Sequence, residues 1–327
     1  MRVHFIVHES FEAPGAYETW AINQGHDVTY SRVYAGDRLP DDAVGIDFLI
    51  VMGGPQDPDT TLEECPHFNA KAEQALIASA VKTGKAVIGI CLGSQLIGEA
   101  LGAPFSHSPE KEIGKFPITL SEDGRKDEMF SHFGKTLEVG HWHNDMPGLT
   151  PEAKIIAYSE GCPRQIVAYS DRVFGFQCHM ELTLDVVERL IAHSEKDLSR
   201  AAEYRFVDTP EALRAHDYSE MNQVLFGFLA FWLFGFLAFW LFGFLAFWIS
   251  WKHVTQQRKH NVMLGKLAIG FDFNVRSWHR ADKLSDLKVR YEREAEKCSG
   301  RLYTDLGIRA CSIRDQPVDG GGSQGER

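Results

Sequence analysis

Paired cysteines are missing from this sequence. Its six cysteines stand at 65, 91, 162, 178, 298 and 311 of 327 residues, and no two form a C-x-x-C pair. That spacing excludes a disulfide scaffold and suits a reducing compartment. No secretory leader is expected either. The opening MRVHFIVHES has an apolar run too short for a signal-peptide core, a histidine inside it and no small-residue cleavage site. It reads as a first strand, and the expected location is cytoplasmic. Basic residues are scarce over most of the chain. Residues 1–251 hold 19 Lys and Arg against 35 Asp and Glu, and residues 252–327 hold 15 against 10, so −16 and +5 make up the net −11. An acidic first part argues against nucleic acid as a partner, and the break in charge marks a change of segment. With 44% hydrophobic residues, the chain can build one large core or two ordinary ones.

What is present is organised around KAVIGICLGSQLIGEAL, Lys85 to Leu101. Lys85 to Ile90 is a short β-branched apolar run suited to a buried parallel strand, and Leu92 to Leu101 has apolar positions at helical spacing before Gly102. Between them, Gly89-Ile90-Cys91-Leu92-Gly93 has the form of a nucleophile elbow with cysteine in place of serine. The glycines relieve crowding around a strained turn, and the amides at the helix start lower a thiol pKa and can receive an oxyanion. A structural cysteine in an ordinary strand-helix turn fits the same local pattern.

Upstream, strand alternates with helix: Arg2 to Glu9, a helix from Ala13 to Gln24, a strand from His26 to Tyr34, a strand from Ile46 to Met52, and a helix from Pro66 to Lys82. This rhythm predicts an α/β fold, a mostly parallel open sheet flanked by helices, with binding groups at the carboxyl ends of its strands. Gly53-Gly54-Pro55 lies at such an end, where it serves either to bring backbone amides to a ligand or simply as a tight turn. From Pro104 to Gly175 the strands shorten: Lys115 to Leu120, Thr136 to Trp142, Lys154 to Tyr158, Gln165 to Tyr169 and Arg172 to Phe176. These predict a smaller antiparallel extension.

Two segments add histidines. In Gly175-Phe176-Gln177-Cys178-His179-Met180-Glu181, His179 and Glu181 leave an extended strand on the same side. A carboxylate there can fix the imidazole tautomer and stabilise the imidazolium formed when the ring takes a thiol proton; an exposed polar strand end has the same pattern. In Val139-Gly140-His141-Trp142-His143-Asn144-Asp145, the histidines lack a recurrent zinc spacing even with Cys178 and His179 added. The expectation is a pocket wall, with no metal and no cofactor.

Taken together, GGP at Gly53 to Pro55, GICLGSQ at Gly89 to Gln95 and GFQCHME at Gly175 to Glu181 resemble the class I glutamine amidotransferases, especially stand-alone members similar to the glutaminase domain of GMP synthase. The resemblance runs from about Met1 to about Phe228 and implies a flavodoxin-like fold. It also implies a Cys-His-Glu triad in which Cys91 attacks the glutamine side-chain amide, His179 carries the proton and Glu181 orients His179. By the same resemblance the backbone amides of Gly54 and Leu92 hold the oxyanion, Gln95 contacts substrate, and the strand around Trp142 and His143 binds its amino-acid end. Cys178 and Met180 stand where the family often has an aromatic residue and a proline. No Ser-Gly-Gly-rich pyrophosphatase loop follows, so a synthetase partner or ammonia acceptor would be a second protein. The alternative functions are a γ-glutamyl peptidase using the same triad and a catalytically silent regulatory or binding protein.

After an expected last helix from His216 to Gln223, LFGFLAFW occurs three times in tandem, at 225–232, 233–240 and 241–248. At ~100° per residue, eight residues rotate each copy about 80° from the last, so the repeat cannot keep one amphipathic face. Residues 224–251 carry no charge and as a helix would reach about 42 Å, enough to cross a membrane. Lys252, Arg258, Lys259 and Lys266 would then hold the tail inside and leave the thiol enzyme outside, which disfavours a span. The competing reading is that the first copy begins the family's terminal helix and the rest is an expansion; the expected division is a domain at 1–224, an apolar repeat at 225–251, and a basic, poorly ordered tail at 252–327.

Overall fold

A computed structural model describes residues 1–233; the second repeat copy after Leu233, the third copy and the tail at 252–327 lie outside the described residues. The strands are β1 (Arg2–Val7), β2 (Asp27–Arg32), β3 (Phe48–Val51), β4 (Ala86–Ile90), β5 (Ser106–Leu120), β6 (Thr136–Met146), β7 (Lys154–Tyr158), β8 (Ile166–Ser170), β9 (Val173–Phe176) and β10 (Phe206–Val207). They form one sheet in the order β10-β5-β7-β8-β9-β4-β3-β1-β2, with β6 paired to β5. The β2-β1-β3-β4-β9 half is parallel, and the arm from β9 through β8 and β7 to β5 and β6 is antiparallel. This is the expected α/β architecture with its smaller extension.

Strands β3, β4 and β9 are buried at every position, which is why they read as unbroken apolar runs. Val3, Phe5 and Val7 of β1 face one core layer with the helix Gly15–Asn23, while Ile6 faces the other with the helices Ala70–Lys82 and Leu92–Ala100. The helix Ala70–Lys82 begins later than expected because the Asn69 side chain caps it, accepting from the Ala72 amide at 3.1 Å.

Two strands are longer than their sequence signal. Strand β5 starts at Ser106 and β6 runs to Met146, because polar residues 106–112 pair with β6 through a register shift between His107 and Glu112. Pro109 sits inside that irregularity, where a missing amide breaks no regular ladder bond.

The boundary expected at residue 224 also has to move. Residues 219–233 are helical, and Leu225, Phe228, Leu229, Trp232 and Leu233 of this stretch are buried in the core layer shared with β9 and β3. Phe228 packs against Phe130, Phe133, Phe174 and Phe176, and Trp232 donates its indole N–H to the Asp171 carbonyl at 2.8 Å. The first repeat copy is therefore part of the domain. Among the described residues, no helix is long and apolar enough to cross a membrane.

Candidate active site

The carboxyl ends of β1, β3, β4 and β9 bring His8, Gly53, Cys91 and His179 together. Cys91 has φ +50°, the only positive value among described non-glycine residues. Such a backbone is strained for an L residue, and it persists because the neighbours over-determine it. The Cys91 amide donates to the Phe176 carbonyl of β9 at 2.8 Å, and the helix Leu92–Ala100 starts at the next residue. Both flanking glycines are required by close approach. A Cβ on Gly89 would lie 2.2 Å from the Gly93 carbonyl oxygen, and one on Gly93 would lie 2.1 Å from that of Val51.

His179 is buried, and its Nδ1 pairs with Glu181 Oε1 at 2.7 Å. Its Nε2 has no hydrogen-bond partner among the described residues, although Cys91 is close enough to influence its proton affinity. The backbone here is braced from three sides. The His179 amide donates to Gly140 of β6 at 2.8 Å, the Ala16 amide to the Glu181 carbonyl at 3.0 Å, and Asn222 Nδ2 to the Met180 carbonyl at 2.7 Å. Burial pushes the Cys91 thiol up, and the nearby His179 imidazole and the Leu92 amide only partly offset the rise. Burial pulls the His179 pKa down; the charge and hydrogen bond of Glu181, with the nearby Cys91 sulfur, override it and hold the imidazole well above its ordinary value. A thiol, an imidazole and a carboxylate in this order can carry out acyl transfer through a thioester.

The family profile for "Glutamine amidotransferase class-I" matches residues 21–194. The chain belongs to that family. It is 58% identical over 229 residues to the glutamine amidotransferase-like protein YfeJ of Salmonella typhimurium, a match that takes in 70% of this chain and 96% of YfeJ. The crystal structure of SMU.1228c superposes with a TM-score of 0.70 at 48% identity, over 71% of this chain and all of that one. Component 2 of the anthranilate synthase of Helicobacter pylori is 26% identical over 200 residues, 58% of this chain and 94% of its own length.

The other residues expected at the amidotransferase site are placed as follows. A Cβ on Gly53 would lie 3.5 Å from Cys91 Cβ and 3.4 Å from His179 Cε1, so the Gly53-Gly54 turn touches both reactive side chains. Leu92 presents its amide beside the Cys91 sulfur. Gln95, one turn along the helix, is buried with its Nε2 on Gln177 Oε1 at 3.3 Å and its own Oε1 without a partner among the described residues. Trp142 enters through its backbone, its carbonyl oxygen 3.7 Å from Cys91 Sγ. The His143 imidazole pairs instead with Glu112 and Gln165, on the face of β6 opposite the Trp142 side chain. Cys178 is buried beside the site with its thiol pushed well above its ordinary value, first by burial.

Sequence reading missed two residues. His8 donates Nδ1–H to the Gly53 carbonyl at 2.9 Å and faces Glu73 with Nε2 at 2.8 Å, so both ring nitrogens meet acceptors. Its pKa is raised: burial works against the proton, and Glu73 outweighs it. In a trans peptide the carbonyl and the next amide point opposite ways, so this anchor fixes the direction of the Gly54 N–H. Glu12 is a buried carboxyl whose Oε2 would lie 2.8 Å from a Cβ on Gly53; burial raises its pKa, and His179 opposes the rise. His8 stands one residue past β1, a carboxyl end where such sheets gather their binding groups, and that position was the available signal.

Proposed function

We propose that the chain hydrolyses the side-chain amide of glutamine to glutamate and ammonia through Cys91, His179 and Glu181. The observation that carries this reading is a buried imidazole whose Nδ1 is held by Glu181 at 2.7 Å, while its other nitrogen is left for the thiol on the strained elbow. His179 Nε2 takes the Cys91 proton as sulfur attacks the amide carbon. The negative oxygen that forms lies against the Gly54 and Leu92 amides, the first aimed by His8. Collapse of the tetrahedral adduct breaks the C–N bond, and His179 returns the proton to the departing ammonia. Water, deprotonated by the same imidazole, then cleaves the thioester to release glutamate and restore the thiol. The ammonia passes to an acceptor or synthetase partner in the cytoplasm, a reading supported by similarity to a protein described as one component of anthranilate synthase.

The deciding assay compares free L-glutamine with γ-glutamyl dipeptides at matched concentrations on the full chain. Faster glutamate release from glutamine is expected; faster cleavage of the dipeptides would replace this reading with a γ-glutamyl peptidase. The pH profile supplies an independent check. Attack needs the thiol and imidazole to share one proton rather than hold two, so activity rises with pH as the second leaves. Glu181 stabilises the imidazolium, so the acidic limb of kcat/KM lies above the ordinary histidine value of 6.5. Glu181→Gln removes that stabilisation, moves the limb to lower pH, and lowers kcat by about 10²- to 10⁴-fold. His179→Ala lowers it further. A limb that stays in place in Glu181→Gln would show that Glu181 does not act through His179.

A further inference from the structure

On the face of β6 opposite Trp142, His141 and His143 are joined by Glu112, which lies opposite His143 in the β5-β6 register. All three are buried. His141 Nδ1 lies 3.5 Å from His143 Nε2 and 3.7 Å from Glu112 Oε2, and His143 Nε2 lies 3.4 Å from the same oxygen. These are the edges of a nearly equilateral triangle. An ion near its centre would stand about 2.0 Å from each corner, the bond length of zinc to imidazole and carboxylate.

The available hydrogens do not satisfy this cluster. His141 Nε2 lies 3.2 Å from the Phe116 carbonyl, which only accepts, so the hydrogen is there and Nδ1 turns a lone pair into the triangle. Glu112 Oε2 already accepts from Ser159 Oγ at 2.9 Å and Gln165 Nε2 at 2.6 Å. If His143 Nε2 carries hydrogen, it opposes the Gln165 amide 3.2 Å away. If it does not, a second lone pair enters the triangle and the Nδ1 hydrogen has no partner. Glu112 Oε1, His143 Nδ1 and Gln165 Oε1 are all buried and unpartnered among the described residues. Such groups are costly to bury.

We propose that Glu112, His141 and His143 bind a divalent cation of the zinc class, with the Gln165 amide turned to offer its oxygen as the fourth ligand. The donor set of two imidazoles, a carboxylate and an amide oxygen suits a borderline metal, and its full burial suits a structural site that closes as the chain folds. The ion ties β5 and β6 to the turn that carries Ser159 and Gln165. It thereby fixes the strand whose Trp142 carbonyl faces Cys91 Sγ at 3.7 Å. This differs from the grouping of His141 and His143 with Cys178 and His179 that the sequence suggested and the zinc spacing disfavoured. The site stands or falls independently of the proposed hydrolysis.

The experiment uses the full chain, produced with zinc or cobalt and dialysed against chelator. Bound metal is measured by mass spectrometry for the wild type, Glu112→Gln, His141→Asn and Cys65→Ser. The last controls for a second, half-exposed group of Glu9, Cys65 and His67. Glu112→Gln and His141→Asn should each hold one equivalent less than the wild type, whether or not Cys65→Ser also loses one from the other group. Wild-type cobalt protein should show visible d–d absorption of tetrahedral strength that survives in Cys65→Ser. Metal removal should lower the wild-type melting midpoint by about 5 °C or more. Equal metal in all four proteins, or cobalt absorption that disappears with Cys65, would overturn the site. The wild-type spectrum keeps the test decisive if a variant misfolds: absence of tetrahedral d–d absorption overturns the proposal without any variant.

Discussion

Cys91→Ser should leave the domain folded and lower kcat/KM for glutamine by about 10⁴-fold or more. Serine is close in size, and it meets the φ of +50° no worse than cysteine does, so the elbow and its bond to the Phe176 carbonyl are retained. What changes is the nucleophile. A thiol can surrender its proton to His179 in the ground state, whereas a hydroxyl in the same buried place keeps it until the transition state. Steady-state glutamate release and thermal melting of the two proteins give the comparison. Turnover within tenfold of wild type would end the cysteine mechanism. A glutamine-like alkylating agent adds a positional readout. Cys162 and Cys178 are fully buried, and burial raises their thiols, Cys162 up to about 12, with no imidazole opposing the rise as His179 does at Cys91, so neither competes. Cys65 is half-buried and is the relevant control. Labelling of Cys65 and Cys91 at equal rates would show that the elbow does not activate its thiol.

The elbow was legible because its causes are local. An apolar strand, a helix start and two glycines at fixed offsets define the turn within a few residues, and His179 and Glu181 stand two residues apart just past β9, where an isolated bridge to Gly140 holds His179. His8, Glu12 and Glu112 were not legible in the same way. His8 meets Glu73 across 65 positions, and Glu112 meets Gln165 across 53, so neither partner is visible until the sheet is ordered. His143 shows a second limit. Its strand was expected to bind the amino-acid end of the substrate, but alternation places Trp142 and His143 on opposite faces, and the contact with Cys91 runs through the Trp142 carbonyl. The polar start of β5 escaped notice because a strand braced by ion pairs and a register shift carries no hydrophobic period.

A chain ending after residue 223 should fail to fold cooperatively, whereas one ending after residue 233 should melt as a single unit and hydrolyse glutamine. Counting three identical copies suggested that the domain could stand without any of them, but the first copy supplies the last side of the core. Its buried positions Leu225, Phe228, Leu229 and Trp232, with Leu233 that opens the second copy, fall at i, i+3, i+4, i+7 and i+8, a single helical stripe. Removing the stripe uncovers Phe130, Phe174 and Phe176, which pack on Phe228, and Phe48, which meets Trp232 edge-on. Truncation of one buried Phe or Trp side chain to alanine costs about 3–5 kcal/mol, and a whole domain is stable by only about 5–15 kcal/mol. Phe228→Ala alone should therefore lower the urea midpoint steeply, and loss of all five side chains exceeds what the domain can absorb. The damage reaches the site, because the same helix carries Asn222, whose amide holds the Met180 and Leu182 carbonyls on either side of Glu181. Urea titrations and glutamate release from chains ending at 223, 233 and 327, with Phe228→Ala in the second, separate the two roles. If the chain ending at 223 unfolded as cooperatively as the one ending at 233, the aromatic stripe would be an ornament on a core already complete.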